Sequence, residues 1–128
     1  MLYRVIGEGK IQHADLCVLR VNTEILGLPD VVVVNQNAAS DYAGFYPSPG
    51  GLRKIDRDLV FAEYWTHPNN PIEELLHGSI MCSEVLVPDR IDPSLIMGAY
   101  VSCTDAKEAL EATGVDIPVT INSHLFFR

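Results

Sequence analysis

The stretch GLPDVVVVNQNAAS, residues 27–40, decides the fold. Its four consecutive valines, Val31–Val34, form strands readily and show no alternation with polar residues, which is typical of a strand covered on both faces. Turn-forming Gly, Pro and Asp residues precede the valines, and the amide-rich run Asn35, Gln36 and Asn37 follows them. We therefore predict a central, buried strand that ends at a polar segment.

Further strands and helices are predicted on both sides of this segment. The strand-forming runs are Leu2–Ile6, Leu16–Val21, Cys82–Val87, Gly98–Ser102 and DIPVTIN at 116–122. The helical candidates are NAASDYAGFY at 37–46, IDRDLVFAEYW at 55–65 with Asp56 as N-cap, IEELLHGS at 72–79, and Asp105–Thr113 with Thr104 as cap and Gly114 past its end. These elements predict one α+β domain over residues 1–128, with about six strands and three or four helices.

Composition and charge restrict the classes of partner. The chain has 128 residues, of which 48% are hydrophobic and 20% charged, as in a globular domain. Its formal net charge of −8 repels polyanions as a whole, so any contact with nucleic acid must be local. The densest basic group, Arg53, Lys54 and Arg57, is more simply explained as a solvated loop.

Cysteine usage and hydropathy indicate the compartment. Cys17, Cys82 and Cys103 are odd in number and far apart, and they flank apolar residues, which predicts buried, reduced thiols in a cytoplasmic protein. No apolar run approaches the roughly 18 residues that span a bilayer, and the first ten residues lack the apolar core of a signal peptide. We expect no membrane partner.

Most motifs that could carry chemistry are weak. GEGK at 7–10 lacks the spacing of a phosphate-binding loop, and the four histidines lack the spacing of a metal site, so no metal is predicted. One carboxylate remains, Glu84, which lies where the apolar run Val85–Val87 begins. A shielded carboxylate there can stabilise positive charge in a transition state, although a Glu at a strand start is more often a surface residue.

Five stretches, in order along the whole chain, resemble the DarT family of bacterial toxins, which attach ADP-ribose from NAD to bases of single-stranded DNA. They are MLYRV at 1–5, GLPDVVVVNQNAAS at 27–40, FY at 45–46 with LRKIDRDLVFAEYW at 52–65, CSEVLVPDRIDPSLIMGAYV at 82–101, and IPVTINSHLFF at 117–127. The resemblance covers the C-terminal two-thirds of the family's domain. It implies part of an ADP-ribosyltransferase-like fold, with a central mixed or antiparallel sheet.

The resemblance assigns roles around NAD, which is a substrate in this family. Glu84 falls on the catalytic glutamate, which holds the ribose 2′-hydroxyl and stabilises the cation formed as nicotinamide leaves. Asn37 falls on a His/Asn position beside NAD, and Met1 falls on a methionine that lines the NAD site. The family implies two further partners, single-stranded DNA and a cognate antitoxin.

The resemblance also assigns residues on the DNA side. Ser79, Met81 and Cys82 fall in the segment before the glutamate that presents the target base. Tyr64 and Trp65 match an aromatic pair of the family, which core packing explains equally well. The family often has a Lys/Arg-rich run before the glutamate, and its near absence here predicts a weaker grip on phosphate.

The family's domain begins upstream of the segment matched by MLYRV, with a His/Thr motif that grips NAD and an arginine implicated in catalysis. From this, the expectation is that these 128 residues alone have little transferase activity and self-associate through exposed apolar surface. The alternative function is that of a non-catalytic remnant that acts as an interaction module. Loss of the upstream motif favours the remnant, and retention of Glu84 favours the enzyme.

Overall fold

The computed structural model describes residues 11–126, which fold as two compact units. One unit comprises residues 23–91 and is called the central unit. The other comprises residues 11–22 together with 92–126 and is called the terminal unit. Each unit holds one three-stranded sheet, so the mixed α+β class is confirmed and the predicted single sheet is divided in two.

The valine run forms the middle strand of the central unit, as predicted. Strand β2 (Val32–Val34) pairs antiparallel with β3 (Phe45–Pro47) on one side and with β4 (Glu84–Leu86) on the other. Val33 and Val34 have no exposed surface, because both faces of this strand are covered. β1 (Cys17–Val21) lies in the terminal unit.

The helix predicted over 37–46 is wrong, because this segment forms turns that lead into β3. Asn35 closes the connection between β2 and β3, since its Oδ1 accepts from the Gly44 backbone N–H at 2.8 Å and its own N–H donates to the Gly44 carbonyl at 3.3 Å. Such side-chain bonds to the backbone compete with helix formation. Tyr42 is 85% exposed, so its apolar ring is not a core residue.

Two α-helices complete the central unit. Helix α1 (Arg57–Val60) is short and begins at Asp56, whose carboxylate accepts from the Leu59 N–H at 3.1 Å, which confirms the predicted cap. Helix α2 (Pro71–Ile80) begins at Asn70, whose side chain accepts from the Glu73 N–H, with Pro71 in the first turn. This helix, predicted over residues 72–79, is the longest α-helix between residues 11 and 126.

The terminal unit, residues 11–22 and 92–126, has longer strands than the central unit and a single α-helix. Its middle strand β5 (Ile96–Val101) pairs antiparallel with β1 and parallel with β6 (Val119–Ile121). Helix α3 (Thr104–Glu111) packs its Ala106 with Val101 and Val119 to form the apolar cluster. The predicted helix is confirmed, but Cys103 rather than Thr104 is its N-cap, and it makes no side-chain cap bond.

Two other predictions are corrected or left open. The three cysteines are free, but Cys17 and Cys82 are exposed and Cys103 is half-buried, because Cys17 lies on an outward position of β1 and Cys82 in the turn after α2. The predicted strand Leu2–Ile6 lies outside the described residues. Over residues 11–126, no helix is long and apolar enough to cross a membrane.

Candidate functional site

Glu84 lies at the end of the buried strand where the polar segment begins. It is the first residue of β4 and pairs with Val34, the last residue of β2. Its side chain is exposed, and Oε1 accepts a hydrogen bond from the Ala38 backbone N–H at 3.2 Å. The carboxylate is thus fixed at one oxygen and accessible to a ligand from solvent.

The polar segment after β2 is fixed to the end of helix α2. The Asn37 backbone N–H donates to the Ser79 carbonyl at 2.8 Å, and the same carbonyl accepts from the Cys82 N–H at 3.1 Å. The Asn37 side chain is exposed, and its Oδ1 accepts from the Ala39 N–H at 3.0 Å. These bonds bring three predicted site residues, Glu84, Asn37 and Ser79, to one edge of the central unit.

Gln36 is a member of this site that sequence reasoning gave no role. Its side chain is buried, its Nε2 donates to the Tyr42 carbonyl at 2.6 Å, and its Oε1 accepts from the Ser79 hydroxyl at 3.0 Å. With both ends of its amide satisfied, Gln36 sets the distance between the polar segment and helix α2. The only signal in the sequence was its position in an amide-rich run directly after a buried strand.

The predicted base-presenting residues do not form a single loop. Ser79 lies in the last turn of α2, because the helix continues to Ile80. Met81 is half-buried as the C-cap of the helix, with its N–H donated to the His77 carbonyl at 2.9 Å, and Cys82 is exposed in the following turn. Met1, predicted to contact NAD, lies outside the described residues.

A pocket of about 1270 Å³ opens beside this edge. Gln36, Asn37 and Ser79 contribute to its wall, and Trp65 and His67 contribute from the segment before helix α2. The volume exceeds the roughly 300–1,000 Å³ of typical small-molecule sites, so the pocket is large enough for a ligand of that class. Gln36, Asn37 and Ser79 therefore border a space that can hold a ligand, whereas Glu84 is not part of the pocket lining.

The core interpretation of the aromatic pair is wrong. Tyr64 is 79% exposed, and Trp65 is 40% exposed on the pocket wall. Neither ring is enclosed, because the segment between helices α1 and α2 runs over the surface of the central unit. Trp65 is the member of the pair that lines the pocket.

Two histidines form a hydrogen-bonded pair at the pocket wall: His67 lines the pocket, and His77 is buried in helix α2. Nε2 of the buried His77 lies 2.9 Å from the Leu59 carbonyl oxygen, which can only accept, so Nε2 carries a proton. In its neutral form His77 then accepts at Nδ1 from Nε2 of His67, 3.0 Å away. Sequence spacing gave no sign of this pair, because the two residues come from different segments.

The pocket wall is acidic. Asp41 and Glu74 line it, whereas no Lys or Arg does so within the described part of the chain. The basic group Arg53, Lys54 and Arg57 is exposed and lies outside the lining. Among residues 11–126 no group of three His, Cys, Asp or Glu side chains could hold a metal ion.

Comparison with solved structures defines the class of the fold. The chain superimposes on Thermosipho africanus DarTG in complex with ADP-ribose with a TM-score of 0.77 at 26% identity, over 99% of this chain and 33% of that one. It superimposes on Thermus sp. 2.9 DarT in complex with NAD⁺ with a TM-score of 0.79 at 18% identity, over 98% of this chain and 66% of that one. The same DarT in complex with ADP-ribosylated single-stranded DNA gives a TM-score of 0.79. The fold is therefore that of the DarT ADP-ribosyltransferases.

Sequence comparison gives the family. The model of the family described as "ssDNA thymidine ADP-ribosyltransferase, DarT" matches residues 1–127, and the chain belongs to this family. A curated relative, the DNA ADP-ribosyl transferase–DNA ADP-ribosyl glycohydrolase fusion protein of Thermosipho africanus (strain H17ap60334), is 27% identical over 133 residues. The alignment covers 99% of this chain and 32% of the relative, so the chain spans about a third of that protein's length.

Proposed function

We propose that the protein transfers ADP-ribose from NAD to a base of single-stranded DNA, with Glu84 as the catalytic carboxylate. The observation that carries the proposal is the hydrogen bond that Glu84 accepts from the Ala38 N–H, because the two neighbours of Ala38, Asn37 and Ala39, both line the pocket. Membership of the DarT family supports the reaction class. Thermus sp. 2.9 DarT in complexes with NAD⁺ and with ADP-ribosylated single-stranded DNA supports the two substrates.

The reaction breaks the bond between the anomeric carbon of the ribose and the nicotinamide nitrogen. The bonding electrons leave with nicotinamide, which becomes neutral, and the ribose carries the positive charge as an oxocarbenium-like state. A nitrogen of the base attacks the anomeric carbon and loses its proton to solvent. A carboxylate placed beside the ribose stabilises the cation more than the substrate, which lowers the barrier.

The hydrogen bonding of Glu84 fits this role. Oε1 is fixed by the Ala38 N–H, which leaves Oε2 to accept a hydrogen bond from the ribose 2′-hydroxyl. A carboxylate held by the backbone needs little reorganisation when the charge develops. Asn37 carries an exposed amide on the same edge of the central unit. Asn37 and Met1 are proposed to contact NAD.

The DNA base is proposed to approach over the end of helix α2. Ser79, Met81 and Cys82 are the proposed contacts, and Ser79 and Cys82 are joined to the polar segment through the Ser79 carbonyl. The net charge of −8 and the acidic pocket wall predict weak, local binding of phosphate. Binding then depends on contacts to the base.

A transfer assay tests the proposal. The full-length protein is incubated with labelled NAD and a thymidine-containing single-stranded oligonucleotide, and label on DNA is the expected result. Glu84→Gln is expected to lower the rate by at least about 100-fold, as for loss of a group that stabilises transition-state charge. Glu63→Gln, an exposed carboxylate outside the pocket lining, is the matched control and is expected to keep full activity. Absence of label, or equal labelling by Glu84→Gln, contradicts the proposal.

The biological setting is proposed as that of a cytoplasmic toxin in a toxin–antitoxin pair, carried by a single domain. The relative named as a fusion of DNA ADP-ribosyl transferase and DNA ADP-ribosyl glycohydrolase supports this, because hydrolysis of ADP-ribosyl DNA is the chemistry an antitoxin needs. Expression of the protein is expected to arrest growth, and co-expression of such a glycohydrolase is expected to restore it. Growth arrest by Glu84→Gln contradicts this setting.

A second candidate function is a non-catalytic interaction module. Helix α2 carries exposed apolar residues, Ile72 at 80%, Leu75 at 78% and Leu76 at 50%, which favour a binding surface and also self-association. Sedimentation across a range of concentrations tests self-association, and Ile72→Asp with Leu75→Asp is expected to abolish it. Transfer activity that depends on Glu84 decides for the enzyme.

A further inference from the structure

Trp65 is held against the backbone of helix α2. A Cβ added to Gly78 would lie 3.8 Å from Cζ3 and 4.0 Å from Cε3 of the Trp65 ring, so the ring packs where the helix has no side chain. The rest of the ring is open, since Trp65 is 40% exposed and lines the pocket. The indole therefore offers an aromatic surface to a ligand and is supported from the other side.

The charges of the wall determine which ligand fits this surface. Asp41 and Glu74 line the pocket, without Lys or Arg in the described lining, so the wall repels phosphate. Ile72 and Leu75 also line it and are apolar. An uncharged, planar ring meets these conditions, because it stacks on indole and brings no negative charge.

We propose that Trp65 is the stacking platform for the acceptor base of single-stranded DNA, which enters the pocket while its phosphates stay in solvent. The inference rests on the proposed function for the identity of the ligand. Bases of a single strand can be splayed out and stacked on aromatic side chains. The position of Trp65 on Gly78, directly before Ser79, favours the base over nicotinamide, because Ser79 is a proposed base contact.

The sequence supplies its own probe, since Trp65 is the one tryptophan among the 128 residues. Tryptophan emission is measured while the chain is titrated with thymidine, with a short oligothymidylate, with an abasic oligonucleotide of the same length, and with nicotinamide. We expect saturable quenching by thymidine and oligothymidylate and none by the abasic strand or nicotinamide. Equal quenching by the abasic strand would indicate that Trp65 contacts phosphate. Quenching by nicotinamide but not by thymidine would indicate that Trp65 stacks on the nicotinamide ring. Either result overturns the inference.

Substitution of the platform gives an independent measurement. Trp65→Ala is expected to weaken binding of a dye-labelled oligothymidylate by about ten-fold, as for loss of one base–aromatic stack. The slope of affinity against salt is expected to stay unchanged, because the phosphates are not contacted by Trp65. Tyr64→Ala, which removes the neighbouring exposed ring outside the lining, is the matched control and is expected to bind normally. Circular dichroism checks that both variants fold.

The outcome is separable from that of the proposed function. Glu84→Gln keeps the platform and is expected to show the same quenching by thymidine as the unmodified chain. Quenching by thymidine without any transfer of ADP-ribose would support the base site at Trp65 and contradict the proposed reaction. Transfer of ADP-ribose to DNA without quenching, together with full affinity of Trp65→Ala for oligothymidylate, would contradict the base site at Trp65 and support the reaction.

Discussion

The two units of the protein treat buried polar groups differently. In the central unit Gln36 and His77 are both buried, and each side chain makes hydrogen bonds at both ends. In the terminal unit the apolar cluster is built from Val101, Ala106 and Val119, and the buried Ser102 donates its hydroxyl to the His13 carbonyl. Since a buried polar group is costly unless fully bonded, such groups persist where they position other residues. We infer from this contrast that buried polar residues of the central unit position the functional ones: Gln36 positions Ser79, and His77 positions His67.

Loss of core volume should affect the stability of both units alike. Val34→Ala in the central unit and Val101→Ala in the terminal unit remove two methyl groups from fully buried side chains. Each is expected to lower the free energy of unfolding by about 2–3 kcal/mol. Urea unfolding measures this effect. Only Val34→Ala is expected to weaken transfer as well, because Val34 pairs with Glu84, and an equal loss of transfer in both variants would contradict the contrast.

Loss of a buried polar group should distinguish the units. His77→Leu leaves the Leu59 carbonyl and Nε2 of His67 without this partner, and it is expected to cost about 2 kcal/mol. The comparison variant is Ser102→Ala in the terminal unit, which removes one hydroxyl bond to the His13 carbonyl at 3.1 Å and is expected to cost about 1 kcal/mol. Thermal unfolding of the two variants side by side measures the difference. A larger loss in Ser102→Ala would reverse the interpretation.

A stabilising change should be available beside the pocket. Gly78→Ala adds a methyl group that meets Trp65 at an ordinary van der Waals distance of 3.8 Å, and alanine favours a helix over glycine. Stability is expected to rise by up to about 1 kcal/mol, while quenching of Trp65 by thymidine is retained. Loss of quenching in a stable Gly78→Ala variant would show that the ring does not keep its position on the helix.

The smallest effect concerns acid stability in the terminal unit. The backbone and hydroxyl of Ser94 hydrogen-bond to Asp92 and lower the pKa of its carboxyl below the usual value. A lowered pKa in the folded state stabilises the protein above the unfolded pKa, and this contribution is lost as pH falls through the folded pKa. Asp92→Asn is therefore expected to flatten the acid limb of a stability-against-pH curve slightly. An unchanged curve would show that the hydrogen bond between Ser94 and the Asp92 carboxylate does not contribute to stability in acid.

Local sequence patterns predicted the regular elements but not the residues that join them. The valine run, the Asp56 cap and the helix after Cys103 follow from propensity and capping, which act over a few residues. The turns at 37–44 and the histidine pair could not be predicted this way, because they depend on bonds between Asn35 and Gly44 and between His67 and His77. The exposure of Cys17 likewise depends on which face of β1 is covered.

The candidate site could be predicted only in part from the amino-acid sequence. Physical reasoning alone favoured a surface role for Glu84, and the resemblance to the DarT family was needed to single it out. The structure then adds what neither source contained, namely the Ala38 N–H on its carboxylate and the Gln36–Ser79 bond beside it. Such pairings join positions 43 or more residues apart and leave no local pattern.

The central claim is that the carboxylate of Glu84 stabilises the charge of the reaction rather than the fold. The most direct measurement compares NAD binding, unfolding free energy and transfer rate for the unmodified protein and for Glu84→Gln. We predict unfolding free energies within about 0.5 kcal/mol, since the group is exposed. We also predict NAD affinities within a few-fold of each other and a transfer rate lower by at least about 100-fold in the variant. A variant that transfers at the normal rate, or that loses activity only because it unfolds, would contradict the claim.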